Sequence, residues 1–171
     1  VDRLHQLNNS AIEYSQQGNP AKAIKTMTRV CEESVLLLGF EHETTLTFWG
    51  NLASLYMETK QYKAAEDIIR DILPVKIKQL GPKHKDLTRY LNSLAQVLEQ
   101  QQSYVEAIPI YKNIIEIYSH VHGETHANVA QSRLRLATIH LRLGDKDEAE
   151  TQLRMTLKCN LPIDLAATCW T

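Results

Sequence analysis

Alanine returns at a fixed interval in this chain. Ala11, Ala53, Ala95 and Ala137 are spaced by 42 residues, and so are Ala23, Ala65, Ala107 and Ala149. Gly39, Gly81 and Gly123 keep the same interval, each followed three residues later by a histidine, His42, His84 or His126. A period of this length in 171 residues means one supersecondary unit copied about four times, each copy burying its apolar face against the next. Six glycines, five prolines and few aromatics are too little turn and strand chemistry for a sandwich or barrel of the same length.

Each copy reads as two helices. Trp49, Leu52, Ala53 and Tyr56 fall at i, i+3, i+4 and i+7, one stripe of an amphipathic helix, and Leu91, Leu94, Ala95 and Leu98 repeat it one copy later. A strand fails on period. Breaks follow at Gly18-Asn19, Lys60-Gln61, Gln102-Ser103 and Gly144-Asp145, where a second helix opens. Asn19-Pro20 predicts a cap followed by proline at the first helical position. Ser103 with Glu106, and Asp145 with Glu148, have the spacing of capping boxes. These second helices are predicted to run to Leu38, Leu80 and about His122, and to stop at the glycine column. One small alanine on each helix of a hairpin lets the backbones approach, so that Tyr56 and Ile69 interdigitate. Tyr14, Tyr56, Trp49 and Met27 are read as core. Pro74 and Pro109 lie inside second helices and each remove one backbone bond, with Pro74 the costlier.

The alanine spacing, the Tyr56 and Tyr62 pair, and Leu80-Gly81-Pro82-Lys83-His84 resemble tetratricopeptide repeats of the long kind found in kinesin light chains and nephrocystin-like proteins. Asn51-Leu52-Ala53-Ser54-Leu55-Tyr56 matches that family's first helix, and Tyr104-Val105-Glu106-Ala107-Ile108-Pro109-Ile110-Tyr111 its second. The resemblance covers about residues 1–159 and implies an all-α fold, an α-solenoid of about four antiparallel helix hairpins wound as a right-handed superhelix. The repeats it implies are about 1–38, 39–80, 81–122 and 123–159, with 160–171 the start of a further or capping helix. Departures exist: Val30, Ile72, Ile114 and Thr156 stand where the family usually has alanine. Arg133 replaces the Leu7, Trp49 and Leu91 of the other copies, which predicts looser packing of the fourth copy or an arginine presented to a neighbour.

On the first helices, the stripe beside the buried one is polar. The resemblance implies that it lines a concave groove holding an extended peptide, and the candidate binding residues are Asn8, Asn9, Asn51, Ser54, Arg89, Asn92, Gln96, Gln131, Arg135 and Arg142. An asparagine amide donates to a peptide carbonyl and accepts from a peptide N–H together, reading backbone without regard to side chain. Arg89, Arg135 and Arg142 would each add a charge-assisted contact of about 1.5–3 kcal/mol to an acidic ligand.

Other chemistries find little support. With 19 Lys+Arg against 20 Asp+Glu and a pI of about 6.7, no basic field collects phosphates, so nucleic acid is not an expected partner. Apolar stretches such as Ser34–Phe40 and Ile108–Ile114 fall far short of the ~20 residues that span a bilayer, and the N-terminus has no charged-then-apolar leader pattern. Cys31, Cys159 and Cys169 are an odd number without CxxC spacing, which favours a reducing, cytoplasmic compartment over a disulfide framework or zinc site. His42, His84 and His126 come one per repeat, on helices whose axes pack ~8–10 Å apart, too far for ligands at ~2.1 Å from one zinc. A role where each helix opens is expected instead. Neither a phosphate loop nor a nucleophile and base at meaningful spacing is present, so no enzyme, cofactor or metal is expected.

Three functions then compete. The first is an adaptor or cargo-recognition module whose groove holds an acidic or mixed peptide of a partner. The second is a structural assembly module that self-associates through a convex face or its ends. The third is the peptide-sensing domain of a regulator. The chain opens within a helical pattern and ends on Trp170-Thr171, which predicts further sequence or a partner over the last core.

Overall fold

The computed structural model describes residues 2–157. The expected helix over 160–171, with Cys159, Cys169 and Trp170, lies outside the described residues. Among the described residues the chain is all helix and turn: α1 Asp2–Gln16, α2 Pro20–Leu38, α3 Glu43–Glu58, α4 Tyr62–Leu80, α5 Leu87–Gln100, α6 Tyr104–His122, α7 Ala127–Arg142 and α8 Lys146–Leu157. None of these helices is long and apolar enough to cross a membrane.

Local chemistry sets the helix ends. Asn19 Oδ1 accepts the Lys22 N–H at 3.2 Å ahead of Pro20, the expected cap of α2. The repeating histidines also act at helix starts, His42 Nδ1 accepting from Thr44 N at 3.1 Å and His126 Nδ1 from Asn128 N at 3.2 Å. His84 does the same for Asp86 N, at 3.2 Å, in the turn before α5. The two expected capping boxes differ from this pattern. The Ser103 side chain makes no capping bond, because its backbone carbonyl already takes both the Glu106 and Ala107 N–H groups, at 3.2 and 3.1 Å. Asp145 accepts from Glu148 N at 3.3 Å, but Glu148 turns forward to accept from Gln152 Nε2 at 2.9 Å rather than reaching back.

Within each hairpin the turn needs a left-handed residue, and the repeat puts it at Gly18, Lys60, Gln102 and Gly144, all with φ between 59° and 81°. Two copies supply glycine, and the other two force an ordinary side chain into that conformation. α4 and α6 run through Pro74 and Pro109 as continuous helices.

The chain divides after Lys76, inside α4, into two compact units. In the first, α1 packs on α2 and α2 on α3. Ala11, Ala23 and Ala53 lie buried at the close approaches, and Leu4, Met27, Val30, Phe48, Leu52 and Ile72 fill the space around them. Cys31 is wholly buried there as a free thiol. Lys76 is also buried, its amine held by Glu43. In the second unit α5 packs on α6, α6 on α7 and α7 on α8, around Ala95, Ala107, Ala137 and Ala149 with Leu91, Leu94, Leu98, Ile114 and Leu136.

Arg133 is buried: only 5% of it is exposed, and its guanidinium pairs with Glu124 from the turn before α7. That hydrogen bond, against a smaller opposing effect of burial, holds the Glu124 carboxyl below the usual range.

Candidate functional site

The polar stripe of the first helices borders a cavity in each unit. In the second unit it has a volume of about 470 Å³, and Asn92, Gln96, Gln131 and Arg135 line it together with Glu99 and Tyr111. α5 and α7 supply the first four, spaced by helical turns so that they share a face. Asn92 Nδ2 donates to the Thr88 carbonyl at 2.7 Å and reaches the Tyr118 hydroxyl at 3.4 Å, which fixes its amide plane. Tyr111, from α6, donates its hydroxyl to Glu99. Burial first, and then that hydrogen bond and the carboxylate's charge, push the phenol up, so it stays a neutral donor. Arg135 Nη1 lies 3.9 Å from Glu99 Oε2, a loose ion pair that leaves guanidinium N–H groups for a further acceptor.

The first unit has a smaller cavity, of about 330 Å³, between α1, α2 and α3. Its buried floor is Met27 and Leu55; Ile12, Ser15, Asn51 and Glu58 stand around it. Asn51 Nδ2 donates to Asn8 Oδ1 at 2.8 Å, and Asn8 Nδ2 to Asn9 Oδ1 at 3.2 Å, so these three amides bond to one another. Ser15 Oγ donates to Glu58 Oε2 at 3.0 Å.

The ten expected binding residues therefore part into three sets. Asn92, Gln96, Gln131 and Arg135 come together in the second unit, and Asn51 and Ser54 line the cavity of the first. Asn8, Asn9, Arg89 and Arg142 line neither. Arg89 turns onto its neighbour, its guanidinium 4.4 Å above the Tyr90 ring and bonded to the Tyr90 hydroxyl. Arg142 lies over Tyr104, with Nη1 3.5 Å from the hydroxyl and the guanidinium 5.7 Å from the ring centre. An aromatic within reach takes each arginine as a cation–π partner.

Sequence reasoning missed the walls contributed by second helices: Met27, read as core, and Tyr111 and Tyr118. A periodic clue existed. Met27 and Tyr111 stand two repeat lengths apart, as do Ile12 and Gln96, Ser15 and Glu99, Gln16 and Gln100, and Asn51 and Arg135. The two cavities are the same place in the repeat, with different chemistry.

Among the described residues no three His, Cys, Asp or Glu side chains gather as a metal ion would require. His122 and His126 stack with ring centres 4.5 Å apart and contribute packing.

Comparison with known proteins gives a consistent picture. Family models described as tetratricopeptide repeat match residues 45–86 and 86–160. Among curated proteins, a secreted RxLR effector protein, RXLR-C07 of Plasmopara halstedii, is 28% identical over 141 residues, 82% of this chain and 41% of that protein. The chain thus spans less than half the length of that relative. Among solved structures, a kinesin light chain-type protein of Podosopora anserina built from nearly identical TPR-like repeats is similar at a TM-score of 0.80 and 20% identity, over 99% of this chain and 78% of that one. BtubC (BKLC) from P. vanneervenii is similar at 0.79 and 16% identity, over 98% and 65% respectively.

Proposed function

Since the chain belongs to the tetratricopeptide-repeat family, whose helical repeats mediate protein–protein interaction, we propose that it is a non-catalytic module that captures an extended, acidic or mixed peptide segment of a partner protein, in the manner of an adaptor. The observation that carries this reading is the cavity of the second unit, where Asn92, Gln96, Gln131 and Arg135 converge on a space of about 470 Å³. Three amides and one loosely held guanidinium are groups for reading a peptide backbone and a carboxylate, and they include no nucleophile poised beside a base.

The test is a peptide-array screen of the full chain, followed by fluorescence anisotropy on the best acidic hit. Asn92→Ala and Arg135→Ala should each weaken binding about tenfold, roughly 1.4 kcal/mol, with unfolding midpoints nearly unchanged. Higher salt should weaken wild type more than Arg135→Ala. Equal affinity for wild type and both variants would sink the proposal.

One observation favours a second reading, assembly through another face: Leu36 and Leu37, adjacent near the end of α2, are 87% and 65% exposed. Self-association in sedimentation that Leu36→Ser abolishes would support it, and a monomer at all concentrations would remove it. The buried, free Cys31 fits a reducing compartment, so we place the module in the cytoplasm. The names of the relatives point to different processes, secretion of an effector in one and kinesin light chain in another, and the partner's identity rests on neither.

A further inference from the structure

We propose that the cavity of the first unit is a receptor for one aliphatic cation, the side chain of a lysine in the captured segment. The inference rests on reading this helical face as a docking surface, and it names what the first unit's share of that surface accepts.

Size comes first. A space of about 330 Å³ is at the small end for ligand pockets and suits one long side chain rather than a folded element. Its floor is apolar: Met27 is fully buried, Leu55 nearly so, and the wall residue Ile12 is 38% exposed. Met27 and Leu55 already lie out of water, so what a straight hydrocarbon stem covers is chiefly the exposed part of Ile12. Polarity at the rim then selects the end group. Glu58 carries the one formal charge among the lining residues, and the Ser15 hydroxyl, 3.0 Å away, holds its carboxylate in place. Ser54 spends its hydroxyl proton on the Gly50 carbonyl at 3.1 Å, so what its oxygen offers the cavity is a lone pair. Asn51 spends one of its two amide N–H groups on Asn8. The rim therefore carries one negative charge, at Glu58, with the Ser54 oxygen as a further acceptor, the complement of an ammonium group on an apolar stem. An anion there would face Glu58 with no lining cation to offset it.

The other unit provides the internal contrast. At the corresponding repeat positions its lining has Tyr111 for Met27, Gln96 for Ile12, Glu99 for Ser15 and Arg135 for Asn51. The apolar floor is gone, and a cation, Arg135, stands beside the carboxylate. Two cavities at one place in the repeat thus differ: the first offers one carboxylate over an apolar floor, and the second a guanidinium and a carboxylate among amides.

The experiment uses the full chain, labelled at methionine, leucine and isoleucine methyl groups, and follows NMR shifts during titration with n-butylammonium, which has the atoms of a lysine side chain. n-Butanol and butyrate are the neutral and anionic comparisons. Butylammonium should move the Met27 and Leu55 methyl signals, butanol more weakly and butyrate least. Glu58→Gln should weaken the butylammonium response about threefold to fivefold. The proposal is overturned if the Met27 and Leu55 signals stay still, if butanol or butyrate matches butylammonium, or if Glu58→Gln changes nothing. Because the signals followed are those of Met27 and Leu55, the titration reads this cavity. An unsuccessful peptide screen leaves its result standing, and its own failure leaves the amide-lined cavity as the docking site.

Discussion

Phe40 and Trp49 in the first unit occupy the repeat positions that Glu124 and Arg133 occupy in the second, each pair two repeat lengths from the other. The first pair meets edge to face with ring centres 6.2 Å apart, and the second is an ion pair between an exposed carboxylate and a buried guanidinium. Both tie the turn after a second helix to the next first helix. What differs is how each responds to solvent. The aromatic pair draws on apolar burial and ring geometry, worth about 0.5–1.5 kcal/mol beyond area, and is indifferent to pH. The ionic pair adds little net stability while whole and is costly to break, because removing one partner strands a desolvated charge. The repeat thus fixes where a clasp is needed and leaves its chemistry open.

The largest effect expected along this comparison is in the first unit. Trp49→Ala should cost about 3 kcal/mol in urea unfolding, through lost area and the hole left beside Phe40; a loss below about 1 kcal/mol would mean that the ring only covers the surface. Next is Glu124→Ala, expected to cost about 2 kcal/mol because it removes a charge-assisted bond to buried Arg133. This contribution carries a pH signature. The folded pKa of Glu124 lies below its unfolded value, so the stabilisation is complete above the ordinary glutamate range, near pH ~4.3, and is lost as pH falls through the lowered folded value. Acid titration of wild type against Glu124→Gln should show that limb only in wild type. Arg133→Leu, which restores the side chain of two other copies, should be neutral or stabilising by about 1 kcal/mol. A clear loss would show that the ion pair is worth more than an apolar clasp. The smallest change is at the left-handed turns: Lys60→Gly should gain up to about 1 kcal/mol, and Gly18→Ala should lose about as much. No heavy atom lies within 4 Å of a Cβ built on Gly18, so its loss would come from the backbone alone.

Much of this was legible in the sequence. One alanine of the two columns falls in each described helix and a glycine in five of the seven turns between them, because small side chains and left-handed backbone are needed at fixed places in a packed hairpin. Which caps close was not legible, since Ser103 has the residue type for a side-chain cap but its own carbonyl takes the bonds. Arg133 read alone looked like a defect. Read together with position 124, where glutamate replaces the Phe40 of an earlier copy, it is one concerted exchange. At the candidate site, the first-helix face was foreseen and the second-helix wall was not: Met27 and Tyr111 belong to the apolar pattern that defines a core, and only the cavity beside them shows a second use. Arg89 and Arg142 stand apart from both cavities for a local reason, the aromatic neighbours that hold them.

Cys31 gives the first unit a built-in clock. Burial, and then the nearby charge of Glu32, push its thiol up to about 12, so near neutrality it is protonated as well as shielded, and an alkylating reagent finds no nucleophile until the helices part. Mass spectrometry of the Cys31 peptide during slow alkylation would therefore count openings of that unit alone, and a ligand seated over Met27 should slow the count.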